Sequence, residues 1–345
     1  MDGSQLPQAI PPLADEAAAA FREGFLRLKH EVGKVIVGQD EVVDSVIIAL
    51  AADGHVLLEG VPGLGKTLLV RSLSQALRLE FNRVQFTPDL MPADIIGTHM
   101  LLESEGRRHM TFSKGPIFTS VLLADEINRA TPKTQSALLE AMAERHVTTG
   151  GVGHELPKPF FVLATQNPLE MEGTYPLPEA QLDRFLVKLH LDMPTEDMLV
   201  DILGRTTGAE EQKPEVALGA QAILDMRATV RNVPAAPETL RMASRILLYT
   251  HPENPNAPES VKRYVRFGGS PRGVQAMVMA GKVRALVARG EQRMPVLSAE
   301  DLEAVAVDCL RHRVILNFEG EAEGVDADGV VADAVAAALK SLAGR

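Results

Sequence analysis

Between Phe21 and Leu191, short apolar runs alternate with stretches whose apolar residues recur every three or four positions. That alternation predicts an α/β fold with a mostly parallel sheet flanked by helices. Parallel strands are covered on both faces, so they are apolar throughout rather than at every second residue. The predicted buried strands are His55–Leu58, Arg83–Phe86, Ser120–Ala124 and Phe160–Thr165. Between them, Lys66–Leu79 places Leu69, Leu73, Ala76 and Leu77 on one helical face. Pro132–Arg145 is a second predicted helix, with Thr131 as N-cap and Pro132 in the first helical position.

The strand pattern stops near Pro194. Ile223, Met226, Val230 and Val233 share one helical face. Leu302, Val305, Ala306 and Cys309 share another, behind a Ser298–Asp301 capping box. The expected organisation is a loosely held tail over residues 1–20, an α/β core over 21–192 and an all-helical domain over 193–345. Pro252–Pro258 is a Pro/Asn-rich loop, and no repeat recurs at a fixed period.

Composition narrows the functional classes. With 345 residues, 46% hydrophobic and 23% charged, the chain can bury a full core and is neither disordered nor collagen-like. Its longest apolar run, Val46–Ala52, falls far short of the ~20 residues that span a bilayer. The N-terminus lacks the pattern of a secretory signal, and the single Cys309 excludes an internal disulfide, so a cytoplasmic protein is expected. A net charge of −11 argues against non-specific nucleic-acid binding. The histidines show no metal-ligand spacing, and Cys309, Met277 and Met279 read as packing residues.

Candidate chemistry begins at Gly60-Val61-Pro62-Gly63-Leu64-Gly65-Lys66-Thr67, which with Leu68 follows an apolar strand and opens an amphipathic helix. This is the G-x-x-x-x-G-K-[ST] phosphate loop. Glycines let backbone N–H groups approach a triphosphate, Lys66 would sit between the β- and γ-phosphates, and the Thr67 hydroxyl would ligate Mg²⁺. The strand in Ser120–Ala130 ends in two carboxylates: Asp125 would hold the Mg²⁺ shell, and Glu126 would orient or deprotonate the attacking water. The strand in Phe160–Pro168 ends at Asn167, which would lie beside the γ-phosphate. By residue type alone the favoured reading of Asn167 is a turn residue before Pro168, and that of Arg184 and Arg272 is a surface ion pair.

The order of these motifs resembles the AAA+ ATPases. The strings Gln85–Thr98, Leu122–Arg145, Glu172–Phe185, GGSPRG around Arg272, and LRHRVIL at Leu310–Leu316 resemble the MoxR family, over about Val35–Asp326. The resemblance implies that Gly60–Thr67 is Walker A, Asp125 and Glu126 are Walker B, and Asn167 is sensor 1. Arg184 maps onto the arginine finger that reaches a neighbouring subunit's ATP, and Arg272 onto sensor 2. Val37, Gly38 and Gln39 lie where the family contacts adenine. Two inserted loops map near Pro88–Phe112 and His146–Leu156. The resemblance also implies ATP and Mg²⁺ as ligands, a homo-oligomeric, hexameric ring, a protein client, and a partner carrying a von Willebrand factor A domain. This chain departs at Gly269 and Gly273, where alanines commonly flank the Ser-Pro-Arg turn, and in a longer Thr250–Tyr264 stretch. Two rival readings are a nucleotide-gated scaffold with little turnover and, with less support, a DNA-remodelling ring.

Overall fold

The computed structural model describes residues 15–61, 63–104, 107–167, 174–207, 212–289 and 295–343. In chain order, α1 (Asp15–Gly33) and α2 (Asp40–Ala51) precede β1 (Val56–Glu59), α3 (Lys66–Ala76) and β2 (Phe81–Gln85). Next come α4 (Pro92–Ile96), the hairpin β3 (Gly97–Ser104) and β4 (Arg107–Lys114), then β5 (Val121–Asp125) and α5 (Pro132–Glu144). A second hairpin, β6 (His146–Thr149) and β7 (Val152–Glu155), leads to β8 (Phe161–Gln166), α6 (Glu179–Leu182) and β9 (Val187–His190). The rest is α7 (Glu196–Thr206), α8 (Ala220–Asn232), α9 (Pro237–Tyr249), α10 (Glu259–Tyr264), β10 (Val265–Phe267), α11 (Pro271–Arg289), α12 (Ala299–Leu310), β11 (Ile315–Leu316), α13 (Phe318–Ala322) and α14 (Ala327–Ala343).

Among the described residues the main sheet has five strands in the order β2-β5-β8-β1-β9, all parallel. The four predicted strands are present within a residue or two. β9 is the addition. It sits at the sheet edge and reads Val-Lys-Leu-His, alternating rather than apolar, so the rule for buried strands passes over it. Each interior strand feeds both faces. Leu57 and Leu58 are both fully buried, yet Leu58 joins the core under α1, α2 and α3, while Leu57 joins the core under α5 and the hairpins.

Two expectations are revised. Residues 15–20 were assigned to the tail but form the start of α1, where Ala18 is already buried; Asp15 and Glu16 break the apolar run but favour a helix's first turn. The helical half is not purely helical, since β10 and β11 pair as a short antiparallel ribbon. Its buried residues are also continuous with those of α1, α2 and one sheet face, so one apolar core runs across residue 193.

The two inserted loops are both hairpins, packed on each other through aromatic rings. Phe112 stacks on His154 with centroids 4.0 Å apart. Met100, Leu101 and Met110 stay exposed on the first hairpin. No helix among the described residues is long and apolar enough to cross a membrane.

Leu163, fully buried in the central strand β8, and Leu101, exposed on the β3–β4 hairpin, give a contrast test. Leu163→Ala should cost about 2–5 kcal/mol of stability through the cavity it leaves. Leu101→Ala should stay within about 0.5 kcal/mol. Denaturant unfolding of the two variants checks this.

Candidate functional site

β1 ends at Glu59 and the chain turns through the glycine-rich loop into α3. Gly63 and Gly65 have φ of +89° and +79°, and a Cβ on either would meet nothing within 4 Å. Glycine is needed there for backbone direction rather than for space. Gly65 caps α3 without a side-chain hydrogen bond, so the first-turn N–H groups face the loop and are available to an anion. The Lys66 ammonium donates to the Gly60 carbonyl. Burial lowers its pKa, while Asp125, Glu126 and Glu59 act in the opposite sense. Thr67 and Val61 are half-buried and Leu68 is exposed at the helix start. Pro62 lies outside the described residues.

The parallel register brings the other motifs to the same end of the sheet. β5 pairs with β8 through Ala124↔Ala164, and β8 pairs with β1 through Glu59↔Gln166. The Thr165 hydroxyl donates to Asp125 Oδ1 at 2.6 Å and accepts from the Glu126 N–H at 2.8 Å. Glu126 itself has φ 56° and ψ 51°, left-handed for a non-glycine residue. Its carboxylate accepts from Gln85 Nε2 at 2.7 Å and Arg129 Nη1 at 2.9 Å. Arg83 lies 2.6 Å from Asp125 Oδ2, so this carboxylate already receives a cation. Asn167 is buried just beyond β8, and its carbonyl accepts from Asn128 Nδ2 at 3.4 Å.

Thr165, Gln85 and Arg83 carried no role in the sequence reading. Gln85 and Arg83 lie on β2, and only the pairing of β2 with β5 sets them beside the two carboxylates. Arg129 lies one short helical turn beyond Glu126.

Beside the loop opens a cavity of about 380 Å³ lined mainly by apolar groups, including Val37, Leu64, Leu68 and Leu191. Gln39 lines it too, and its amide donates to the Asp192 carbonyl at 3.4 Å; Gly38 turns the segment between them with φ +70°. An apolar slot next to a ring of N–H donors suits a flat base attached to a phosphate chain. Asp125 and Thr67 could hold a divalent cation at that chain. Among the described residues no group of three or more His, Cys, Asp or Glu gathers as a metal site. A metal here would therefore complete its shell with phosphate and water oxygens.

Arg184 and Arg272 lie elsewhere. Both line a cleft with Gly54 and His55, which precede β1, and with Phe185 and Leu186, which precede β9. Gly54 and Gly60 flank β1, so at about 3.3 Å per residue the cleft and the phosphate loop are roughly 20 Å apart. Arg184 Nη1 donates to the Leu139 carbonyl at 2.6 Å, while its buried Nε has no hydrogen-bond partner. Arg272 is exposed, with Nη1 3.8 Å from Asp183 Oδ2. The cleft also holds Arg145 and Arg313 against two carboxylates, Asp53 and Asp183. It is a cationic face.

Residues 55–187 match the family model for the ATPase family associated with various cellular activities (AAA), and residues 258–334 match the AAA lid domain. The chain is 39% identical to Chaperone MoxR1 of Mycobacterium tuberculosis, over 93% of this chain and 83% of that one. It is 32% identical to Protein MoxR of Methylorubrum extorquens, over 88% and 90%. A solved putative ATPase from Cytophaga hutchinsonii superposes with a TM-score of 0.85 at 37% identity, covering 93% and 96% of the two chains. With an AAA domain followed by an AAA lid domain, and MoxR relatives 32–39% identical over most of both chains, the chain belongs to the MoxR family of AAA+ ATPases.

Proposed function

We propose that this protein hydrolyses ATP with Mg²⁺ in a homo-oligomeric ring, hexameric by family resemblance, and uses the cycle to remodel or mature a protein client. The observation that carries the reading is the separation of two half-sites. The glycine-rich end of the sheet has a phosphate loop and two carboxylates but neither Arg184 nor Arg272. The opposite end has both arginines and no phosphate loop. An arginine side chain cannot cross roughly 20 Å of sheet, so each half-site is completed only by another subunit. Such a head-to-tail contact forms a ring where its rotation closes.

In this reading the loop N–H groups and Lys66 bind the triphosphate, and Asp125 and Thr67 hold Mg²⁺, which supplies charge neutralisation on the β- and γ-phosphates when bound. Thr165 holds the Asp125 carboxylate and the Glu126 backbone at once. Glu126, freed from Gln85 and Arg129, orients the attacking water and accepts its proton, with Asn167 alongside. Arg184 and Arg272 of the adjacent copy stabilise charge developing on the transferring phosphoryl group. Client remodelling agrees with the chaperone name of the mycobacterial relative, and a von Willebrand factor A domain protein is the partner class proposed. The tie of Glu126 to Gln85 and Arg129 favours one rival, a nucleotide-gated scaffold with little turnover. Single-turnover hydrolysis measured against partner release separates the two.

Lys66→Ala should abolish tight ATP binding, because it removes the cation that the loop itself carries at the start of α3; calorimetry showing parental affinity would overturn the phosphate-loop assignment. Glu126→Gln keeps shape and loses the proton acceptor. It should bind Mg-ATP normally and lose most steady-state turnover; undiminished turnover would remove Glu126 from the chemistry.

Arg184→Ala should leave ATP affinity of the isolated subunit intact while turnover collapses, by up to the 10³–10⁵-fold known for trans arginines. Mixed with Lys66→Ala, which keeps its cationic cleft, it should regain activity. If the two co-assemble and remain inactive at every ratio, the trans role of Arg184 fails.

A further inference from the structure

The string LRHRVIL at Leu310–Leu316 carries no role in the nucleotide site, yet it contains a guanidinium that is almost fully buried. The Arg313 side chain is 3% exposed. A buried charge is tolerated only where its donors are met, and here every one is. Nε donates to Asp183 Oδ1 at 2.8 Å. Nη2 donates to the carbonyls of Asp183 at 3.1 Å and Phe185 at 2.6 Å. Nη1 donates to the Leu186 carbonyl at 3.2 Å and to that of Cys309. The neighbouring His312 Nε2 sits 3.2 Å from the Phe185 carbonyl. Arg313 Nη1 also lies 2.7 Å from His312 Nε2. These contacts account for the five N–H donors of the fork, and four of the five carbonyl and carboxylate acceptors lie on residues 183, 185 and 186, which bracket Arg184.

The same carboxylate reaches the other arginine. Asp183 Oδ1 also accepts from Ser270 Oγ at 2.7 Å, and Ser270 Oγ accepts from the Arg272 N–H at 3.2 Å. One carboxylate therefore joins the lid's Ser-Pro-Arg turn, the Arg313 guanidinium and the segment carrying Arg184.

We propose that Arg313 is a positioning residue for the trans-acting arginine pair: by pinning residues 183–186 and, through Asp183, the Ser270–Arg272 turn, it holds Arg184 and Arg272 as one anion receptor for the neighbouring subunit's nucleotide. This rests on the trans reading above. Arg313 touches no nucleotide itself. Lysine cannot replace it, because an ammonium lacks the planar fork that meets several carbonyls at once.

The test is directional. Arg313→Lys, checked by thermal melting, should bind ATP at its own loop as the parent does. Alone, its turnover should fall about 10²-fold, the scale of a 1 Å misplacement of a catalytic group. Mixed with Lys66→Ala it should recover activity, and mixed with Arg184→Ala it should not. Without nucleotide, amide hydrogen exchange should quicken over residues 182–187 and the Ser270–Arg272 turn. A role confined to general lid stability would weaken the subunit's own site and erase that asymmetry.

Parental turnover, unchanged exchange over 182–187, or failure to recover with Lys66→Ala while the Arg184→Ala and Lys66→Ala pair does recover, each overturns the role of Arg313. If the control pair also fails, the trans reading falls and takes the proposal with it. Should Arg313→Lys not fold, Asp183→Asn, which keeps the acceptor shape at a half-buried position, takes its place with the same expected asymmetry.

Discussion

Parallel pairing of β1, β5 and β8 in one register is the constraint on which the rest depends. All three strands run the same way and end within a residue of one another, so the phosphate loop, the Asp125–Glu126 pair and Asn167 emerge at one edge. No side chain has to reach across the fold to assemble them. Thr165 then works at a distance fixed by the pairing itself, bridging the side chain of one carboxylate residue and the backbone of the next. The left-handed backbone at Glu126 is held in place by that bond and by Gln85 and Arg129 on its carboxylate.

The same constraint separates the arginines. A residue placed just before β9 must appear at the edge opposite the phosphate loop, and α12 delivers His312 and Arg313 to that edge as well. The two ends of the sheet thus differ in kind. One sets Glu59, Asp125 and Glu126 among Lys66, Arg83, Arg129 and Lys188 beside the phosphate loop. The other gathers Arg145, Arg184, Arg272 and Arg313 around Asp53 and Asp183. A triphosphate bound at one end and the arginine cleft at the other favour head-to-tail association. Arg145 is committed locally, donating to the Phe160 carbonyl at 2.6 Å and the Asp53 carbonyl at 2.9 Å. Arg184 makes fewer such bonds, with Nη1 donating to the Leu139 carbonyl at 2.6 Å.

Much of this was legible along the chain because it is local in sequence. The loop glycines, Lys66, Thr67 and the two strand-end carboxylates lie within continuous strings whose spacing alone specifies a phosphate-binding turn. What stayed hidden depends on contacts between distant segments. Thr165 looks like one more strand residue until β8 is paired with β5. Gln85 and Arg83 look like the polar side of an edge strand until β2 is placed beside Asp125. β9 was missed because an edge strand covered on fewer sides can afford Lys188 and His190. The boundary near residue 193 marks a change in periodicity, and it does not divide the packing, since buried residues of α8, α11 and α12 share a core with α1 and α2.

The two glycines that flank the Ser-Pro-Arg turn find their reason in the same joint. A Cβ at Gly273 would lie 2.8 Å from Leu310 Cδ2 and 3.1 Å from Arg313 Cδ, and one at Gly269 would lie 2.8 Å from Leu247 Cδ1. Glycine in the first turn of α11 gives up about 1 kcal/mol of helix propensity relative to alanine. In return, α11 seats directly on the buried stem of Arg313, with no methyl group to push the guanidinium away from Asp183 and Phe185. Read from sequence, Gly273 suggests a looser turn around Arg272. In the folded chain the close approach gives the opposite result: the turn is fixed from below by Arg313 and Asp183, and its freedom is limited by packing rather than by propensity.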